Sequence, residues 1–453
     1  MIASINPATG ETLARFEALA PPNVERIVVA AQAAQRAWAQ RPLHERAAPM
    51  RRVAALLRQR APDHARLMAL EMGKPLKDGV AEINKCAAAC EHYAEHAAAL
   101  LAPRAEPSDA GKSYVRFDPL GVVLAVMPWN FPFWQVFRFI APGLMAGNGG
   151  LLKHASNVPQ CALAIEQVMH DAGFPPDLFR SLLLDVAATQ PLIEHARIAA
   201  VTLTGSEAAG RAIAAAAGRA LKPAVLELGG SDPFIVLADA DLDVTARTAA
   251  QARCINAGQS CIAAKRFIVM DAVHDAFVER FVAALRAVRC GDPLAADTQI
   301  GPLARRDLRD EVHAQVVQAI AQGARCVLGG QVPEGPGAYY PPTVLTEVSA
   351  GNLAYAEEIF GPVAAVIRAR DTGDALRIAN DTRFGLGASL WTGDLAQAEE
   401  LAPRIEAGAV FVNGLVKSDP RLPFGGVKAS GYGRELGLEG IRAFVNVKTV
   451  WIR

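Results

Sequence analysis

From residue 121 onward the chain alternates short β-rich runs with longer helical ones, and no other feature narrows its fold as much. Residues 122–127, 150–153, 180–184 and 200–203 read as strands. Residues 134–146, 159–172, 190–195 and 207–218 read as helices. Short apolar strands separated by helices predict a parallel sheet covered on both faces, a layout that binds nucleotides. The alternation then resumes, with strands at 233–237, 266–270 and 409–412 and helices at 241–256, 272–289 and 303–322. This predicts a second α/β domain. Upstream, residues 22–60 and 61–101 are rich in Ala, Leu, Arg, Glu and Gln at helical spacing, punctuated by Pro42 and Pro62. Residues 112–118 and 444–451 alternate polar with apolar, as exposed ribbon strands do. No fixed-period repeat and no low-complexity linker interrupts the chain.

At 453 residues the chain is too long for one ordinary domain. Hydrophobic residues make up 51% and charged residues 20%, a balance that suits a large buried core rather than disorder. Lys plus Arg and Asp plus Glu number 46 each, so no global field draws the protein to nucleic acid or an anionic membrane. Any phosphate site must be local. The longest apolar candidate for a membrane span, 122–145, contains Asn130, Arg138 and three prolines. The N-terminus lacks a basic region followed by an apolar core, so no signal peptide is expected. The seven cysteines form an odd set without metal-type spacing. They read as reduced thiols in the cytoplasm, and no metal site is expected.

Two segments carry chemistry. Asn256-Ala257-Gly258-Gln259-Ser260-Cys261 sets a thiol among small, polar and glycine residues. Leu226-Glu227-Leu228-Gly229-Gly230 ends an apolar strand-like run with a lone carboxylate and two glycines. A nucleophile and a base that serves it are the minimum for catalysis through an acyl intermediate. No Gly-x-Gly-x-x-Gly marks a strand–helix junction. Instead Thr204-Gly205-Ser206 follows one strand and opens a helix. There Gly205 permits close backbone approach, and the helix N-terminus attracts anions.

With Pro128-Trp129-Asn130-Phe131-Pro132 upstream, Glu357-Glu358-Ile359-Phe360-Gly361-Pro362 downstream and Asn6-Pro7-Ala8-Thr9-Gly10 at the start, the chain resembles the NAD(P)-dependent aldehyde dehydrogenase superfamily over essentially its whole length. The resemblance implies a Rossmann-type cofactor domain (1–110 and 120–228), an α/β catalytic domain (229–420) and a β-ribbon oligomerisation arm (111–119 and 430–453). The arm implies a homodimer or homotetramer. The resemblance also implies Cys261 as nucleophile and Glu227 as the base that activates water. Asn130 and the Cys261 backbone N–H become the donors to the oxyanion. Gly205 and Ser206 fall at the cofactor pyrophosphate, and Lys153 and Ser156 at the adenosine ribose. Trp129 and Leu228 line the cofactor site, Glu358 accepts from the nicotinamide ribose, and Phe360 packs on the ring. Gly258, Gly361 and Pro362 are structural. Many strictly NAD-using relatives carry an acid where Ser156 stands. A carboxylate there repels a 2′-phosphate and serine does not, so both NAD and NADP are expected to bind.

Leu70-Glu71-Met72-Gly73-Lys74-Pro75, the Gly-Gly-Ser-Asp-Pro-Phe run ending at Phe234, and Phe424-Gly425-Gly426-Val427-Lys428 resemble the succinate-semialdehyde dehydrogenase branch, especially its short bacterial members. The far carboxylate of such a substrate needs a cation or several donors. Arg138 aligns with an arginine that contacts it in relatives, and an ion pair on the helix is the other reading. A second arginine of some relatives is Ile255 here, which leaves Lys417, Ser418 and Arg421 to supply donors. The extra thiol of some relatives is Ala263, so no local disulfide switch is expected. The alternatives are a dehydrogenase for glutarate semialdehyde or another aldehyde, or a catalytically silent relative using the fold as scaffold.

Overall fold

The computed structural model describes residues 1–453. Four helices, Pro21–Ala39, Leu43–Gln59, Ala61–Met72 and Leu76–Leu100, form the predicted N-terminal layer. Proline opens the first and third, where a missing N–H costs no helix bond. Gly73, at φ +79°, ends the third in the left-handed conformation that glycine adopts most easily.

The first sheet has six strands. In spatial order they are Gly431–Tyr432, Ala224–Glu227, Ile198–Thr204, Val122–Met127, Gly149–His154 and Phe179–Ser181. All pair in parallel except Gly431–Tyr432, which runs antiparallel on the edge. The helix Trp134–Ala146 is buried at every position, which explains why its sequence is apolar on nearly all sides.

The second sheet has seven strands, in the order Arg325–Leu328, Thr343–Thr346, Val363–Ala369, Arg266–Met270, Pro233–Val236, Gly387–Trp391 and Ala409–Val412. It is parallel except where Arg325–Leu328 joins. The expected 409–412 and 266–270 strands fall where the sequence puts them. Four strands of this sheet were not foreseen. Val363–Ala369 is diluted by alanines and Gly387–Trp391 has no β-branched residue, so neither carries a strong strand signal. The antiparallel N-terminal hairpin Ile2–Ile5 with Thr12–Phe16 was also not foreseen.

A third sheet pairs Val445–Ile452 with Lys112–Pro119, and Lys112–Pro119 in turn with Arg104–Ala105. It matches the expected ribbon, but the segment 430–453 is not all arm. Gly431–Tyr432 belongs to the six-stranded sheet and the helix Gly437–Arg442 packs on Trp134–Ala146. Only from Val445 does the chain enter the ribbon. No helix is long and apolar enough to cross a membrane.

Candidate active site

The helix Leu242–Cys254 gives way to three successive left-handed residues, Asn256 (φ +51°), Ala257 (φ +56°) and Gly258 (φ +75°). For alanine this conformation costs about 1–2 kcal/mol, so the surroundings must hold it. Arg253 donates to the Gly258 carbonyl (2.8 Å) and the Val363 carbonyl (3.2 Å). The Asn256 amide donates to the Asn130 carbonyl at 2.6 Å, and Gln259 Oε1 accepts from the Ala304 N–H at 2.9 Å. A Cβ on Gly258 would overlap the Gly361 carbonyl oxygen, so this loop is pressed directly against Gly361-Pro362. Beyond it, Cys261 sits half-buried. The Lys265 ammonium donates to the carbonyls of Ser260 (3.0 Å), Cys261 (2.8 Å) and Ala263 (3.1 Å), and pairs with Glu358 at 3.1 Å.

Glu227 ends its strand opposite Gly431 and is buried, with neither carboxyl oxygen hydrogen-bonded inside the protein. The two glycines that follow it are small for a visible reason. A Cβ on Gly229 would run into the Glu358 carboxylate, and one on Gly230 would lie 2.9 Å from the Cys261 carbonyl oxygen. The segment carrying Glu227, the loop carrying Cys261 and the Glu358 loop therefore meet here. Burial, with Glu435 adding to it, holds the Glu227 carboxyl well above the usual range, against the pull of Arg138 and Arg434. Burial likewise pushes the Cys261 thiol up to about 12, with Arg138 and Lys265 drawing it down and Glu227 and Asp232 raising it.

Asn130 is fixed by a buried pair that the motifs did not announce. Lys74 is ion-paired with Glu82, donates to the Asn130 carbonyl at 3.1 Å and lies 3.9 Å over the Phe131 ring. Glu82 Oε1 accepts the backbone N–H of Phe133 and of Trp134, both at 2.9 Å, and so caps the helix Trp134–Ala146. The Asn130 side chain accepts from Gln135 (3.0 Å) and gives one N–H to the Gln259 carbonyl (2.9 Å). An amide nitrogen has two N–H groups, so one remains for an oxyanion. The Cys261 backbone N–H makes no backbone hydrogen bond.

The expected cofactor residues fall in two groups. In the first, Trp129 and Phe360 meet edge to face with ring centroids 6.0 Å apart. Leu228 donates its N–H to the Ser430 carbonyl (3.0 Å) and fills the space left by Gly210, while the Gly205 N–H donates to the Glu227 carbonyl (3.0 Å). Ser206 caps the helix Glu207–Arg219, its hydroxyl accepting from the Ala209 N–H at 3.3 Å. In the second, Lys153 and Ser156 line a cavity of about 770 Å³ together with Asn157, Leu184, Asp185 and Val186. Burial lowers the Lys153 pKa, and Asp185 opposes this through space. A buried ammonium at the cavity wall beside a hydroxyl suits a ribose hydroxyl or a phosphate, so these residues fit a dinucleotide. His154 is not part of this group. It is buried, with ring nitrogens 3.2 Å from the Met127 carbonyl and 2.9 Å from the Pro132 carbonyl, and burial pushes it down to about 4.

Of the two readings of Arg138, the geometry contains the ion pair. Its Nε lies 2.7 Å from the buried Glu435 carboxylate, it donates to Thr204 Oγ1 at 3.0 Å, and it stacks 4.8 Å over Phe424. Lys417 and Arg421 are exposed, and Arg421 pairs with Asp419 at 2.6 Å, so neither turns inward. Ser418 does. It is buried and accepts from Lys85 Nζ (2.7 Å) and Trp134 Nε1 (3.1 Å). Sequence reasoning missed Lys74, Glu82, Lys85, Lys265 and Glu435. The available signal was Glu82 on the otherwise apolar face shared by Ile83, Cys86 and Cys90.

Residues 1–450 match the aldehyde dehydrogenase family. A succinate-semialdehyde dehydrogenase [NADP(+)] of Mycolicibacterium paratuberculosis is 52% identical over 459 residues, covering 100% of this chain and 96% of that protein. Among solved structures, a succinic semialdehyde dehydrogenase from Streptococcus pyogenes in complex with NADP+ is similar at TM-score 0.98 and 36% identity, with 100% of both chains covered. PnpE in complex with nicotinamide adenine dinucleotide is similar at TM-score 0.96 and 35% identity, covering 100% of this chain and 94% of that one.

Proposed function

Since the chain belongs to the aldehyde dehydrogenase family, we propose that it oxidises succinate semialdehyde to succinate with NADP or NAD. The observation that carries this is the convergence of thiol, carboxyl and amide donor on one backbone junction, in a chain half identical to a protein of that activity. We assign cofactor binding to the six-stranded unit and acyl chemistry to the seven-stranded unit.

The Cys261 sulfur attacks the aldehyde carbon, and the carbonyl oxygen becomes an alkoxide. The free Asn130 N–H and the Cys261 backbone N–H stabilise that charge, and losing one such donor costs about 3 kcal/mol. A nicotinamide cofactor held by Trp129, Leu228, Glu358 and Phe360 would supply the acceptor for the hydride, that is, two electrons and the aldehyde hydrogen. What remains on Cys261 is a thioester. Glu227 takes a proton from water, and the hydroxide displaces the sulfur to release the acid. In the resting protein burial pushes the Cys261 thiol up to about 12, so attack draws on an ionised minority, and burial likewise shifts Glu227 toward its protonated form. Lys265 holds the thiol's loop and Glu358 in register throughout.

The ribbon of Lys112–Pro119 and Val445–Ile452 serves as the contact between subunits of a homodimer or homotetramer. Exposed Val447, Trp451 and Ile452 on that strand support this reading. Seven unpaired cysteines support a reducing, cytoplasmic setting.

The test is formation of reduced nicotinamide with succinate semialdehyde, glutarate semialdehyde and butanal, using each cofactor. Cys261→Ser abolishes turnover, and Glu227→Gln gives one equivalent of reduced cofactor and then stalls as the acyl enzyme. Sustained turnover by Cys261→Ser refutes the mechanism, and equal use of butanal and the semialdehydes refutes the substrate.

A further inference from the structure

The pocket lacks the second arginine that some relatives place before the nucleophile motif, and Arg138 is already answered by Glu435. A four-carbon semialdehyde brings a carboxylate that still needs a cation. One half-buried ammonium has no ion-pair partner in the protein. Lys85 lies on the helix Leu76–Leu100, half-buried, 4.3 Å over the ring of Trp134. Its one hydrogen bond goes to a neutral acceptor, Ser418 Oγ, at 2.7 Å, and no carboxylate comes within 4.0 Å of its nitrogen. Removing an ammonium from water without an anion is costly, so such a group is retained where a ligand completes it.

Ser418 makes the same point from the other side. Its hydroxyl oxygen has two lone pairs, and it already accepts from Lys85 and from Trp134 Nε1 (3.1 Å). The Ser418 proton is therefore left to be donated, and no protein acceptor takes it. The remaining N–H groups of Lys85 and the Ser418 O–H are thus left as adjacent donors without a protein acceptor, which is a site for an anion. Its position suits the far end of the substrate. Trp134 and Arg138 are four residues apart on the same face of one helix, about 6 Å along the axis. The Arg138 end acts on Cys261 through space, and the Trp134 end carries the Lys85–Ser418 cluster.

We infer that Lys85 is the cation that binds the substrate's distal carboxylate, with the Ser418 hydroxyl as second donor, and that it sets the preference for acid-bearing aldehydes. This rests on the semialdehyde reading above, and the controls keep the two apart. Lys85→Met and Lys85→Gln are compared with the parent on succinate semialdehyde and on butanal, which has the same chain length and no carboxylate. The expected result is a rise in KM for the semialdehyde of about 10- to 100-fold, the worth of one charge-assisted hydrogen bond. Butanal kinetics stay within about threefold, and Lys85→Arg recovers part of the preference. A fall on both substrates together, or an unchanged preference, overturns the assignment. If the parent itself shows no preference for the semialdehyde, the substrate reading fails instead.

A second readout follows from burial, which lowers the Lys85 pKa to about 8. Within that balance Arg138 on the neighbouring helix adds to the lowering, while Cys86 and Glu82 on its own helix and Asp419 in the facing loop oppose it. The parent's ratio of semialdehyde to butanal kcat/KM should therefore drop as pH rises through about 8, and Lys85→Met should abolish that drop. A parent ratio that stays flat from pH 7 to about 9.5 also overturns the assignment.

Discussion

Replacing Lys265 by methionine keeps the length of the side chain and removes its charge. The ammonium is buried and has four partners, the carbonyls of Ser260, Cys261 and Ala263 at 2.8–3.1 Å and the Glu358 carboxylate at 3.1 Å. Three carbonyls of one tight turn lose their donor, and a mostly buried carboxylate loses its counter-charge. Breaking one side of a buried pair costs about 3–5 kcal/mol, a large share of the roughly 5–15 kcal/mol by which proteins are stable. The chemical consequence is separate. Lys265 and Arg138 are the cations that draw the Cys261 thiol downward, so losing one raises the thiol further. Each unit of such a rise is a tenfold loss of thiolate. Urea unfolding reads the first effect, and the pH dependence of iodoacetamide alkylation at Cys261 reads the second. Lys265→Met should lower the unfolding free energy by about 3 kcal/mol or more and move the alkylation curve to higher pH. A variant whose stability lies within about 0.5 kcal/mol of the parent and whose alkylation curve does not move would refute the reasoning.

Gly258→Ala places a methyl into the Gly361 carbonyl at a backbone angle that alanine resists. A loss of about 3 kcal/mol or more is expected in a thermal melt, and a melt unchanged from the parent counts against the contact. Because burial pushes the Cys261 thiol up to about 12, kcat/KM for an uncharged aldehyde should climb with pH from 6 to about 9; a plateau reached by pH 7 would be inconsistent with the burial described. Ser156→Glu puts a carboxylate beside Lys153 in the cofactor cavity. It should raise KM for NADP at least about tenfold and leave NAD nearly unchanged, and equal effects on both cofactors would show that the 2′-phosphate lies elsewhere.

The sequence was most legible where local pattern and global fold agree. Val122–Met127, Trp134–Ala146 and Arg266–Met270 match their expected bounds because each is apolar at its own period and bounded by glycine, proline or polar residues. The strands Val363–Ala369 and Gly387–Trp391 were illegible because what makes them strands is their neighbours in the sheet, not their composition. The site divides the same way. Gly229, Gly230 and Gly258 could be read as places of close approach, and the structure supplies what approaches them, namely Glu358, Cys261 and Gly361. Lys85 could not be read at all. Its partner is 333 residues away, and nothing in an alanine-rich helix marks one lysine as turned inward. Arg138 stood out in the sequence, but its partner Glu435, 297 residues away, did not, so the sequence alone left ligand contact and ion pair both open.

The strand that carries Glu227 is closed on its open side by Gly431–Tyr432, close to the chain's far end. During synthesis Cys261 and the other five strands of that sheet emerge long before this closing piece leaves the ribosome. A nascent or prematurely stopped chain thus holds its reactive sulfur without a finished wall behind the carboxyl. A chain stopped before Gly431 lacks the edge strand that pairs with Glu227, and such a fragment is expected to show no aldehyde turnover.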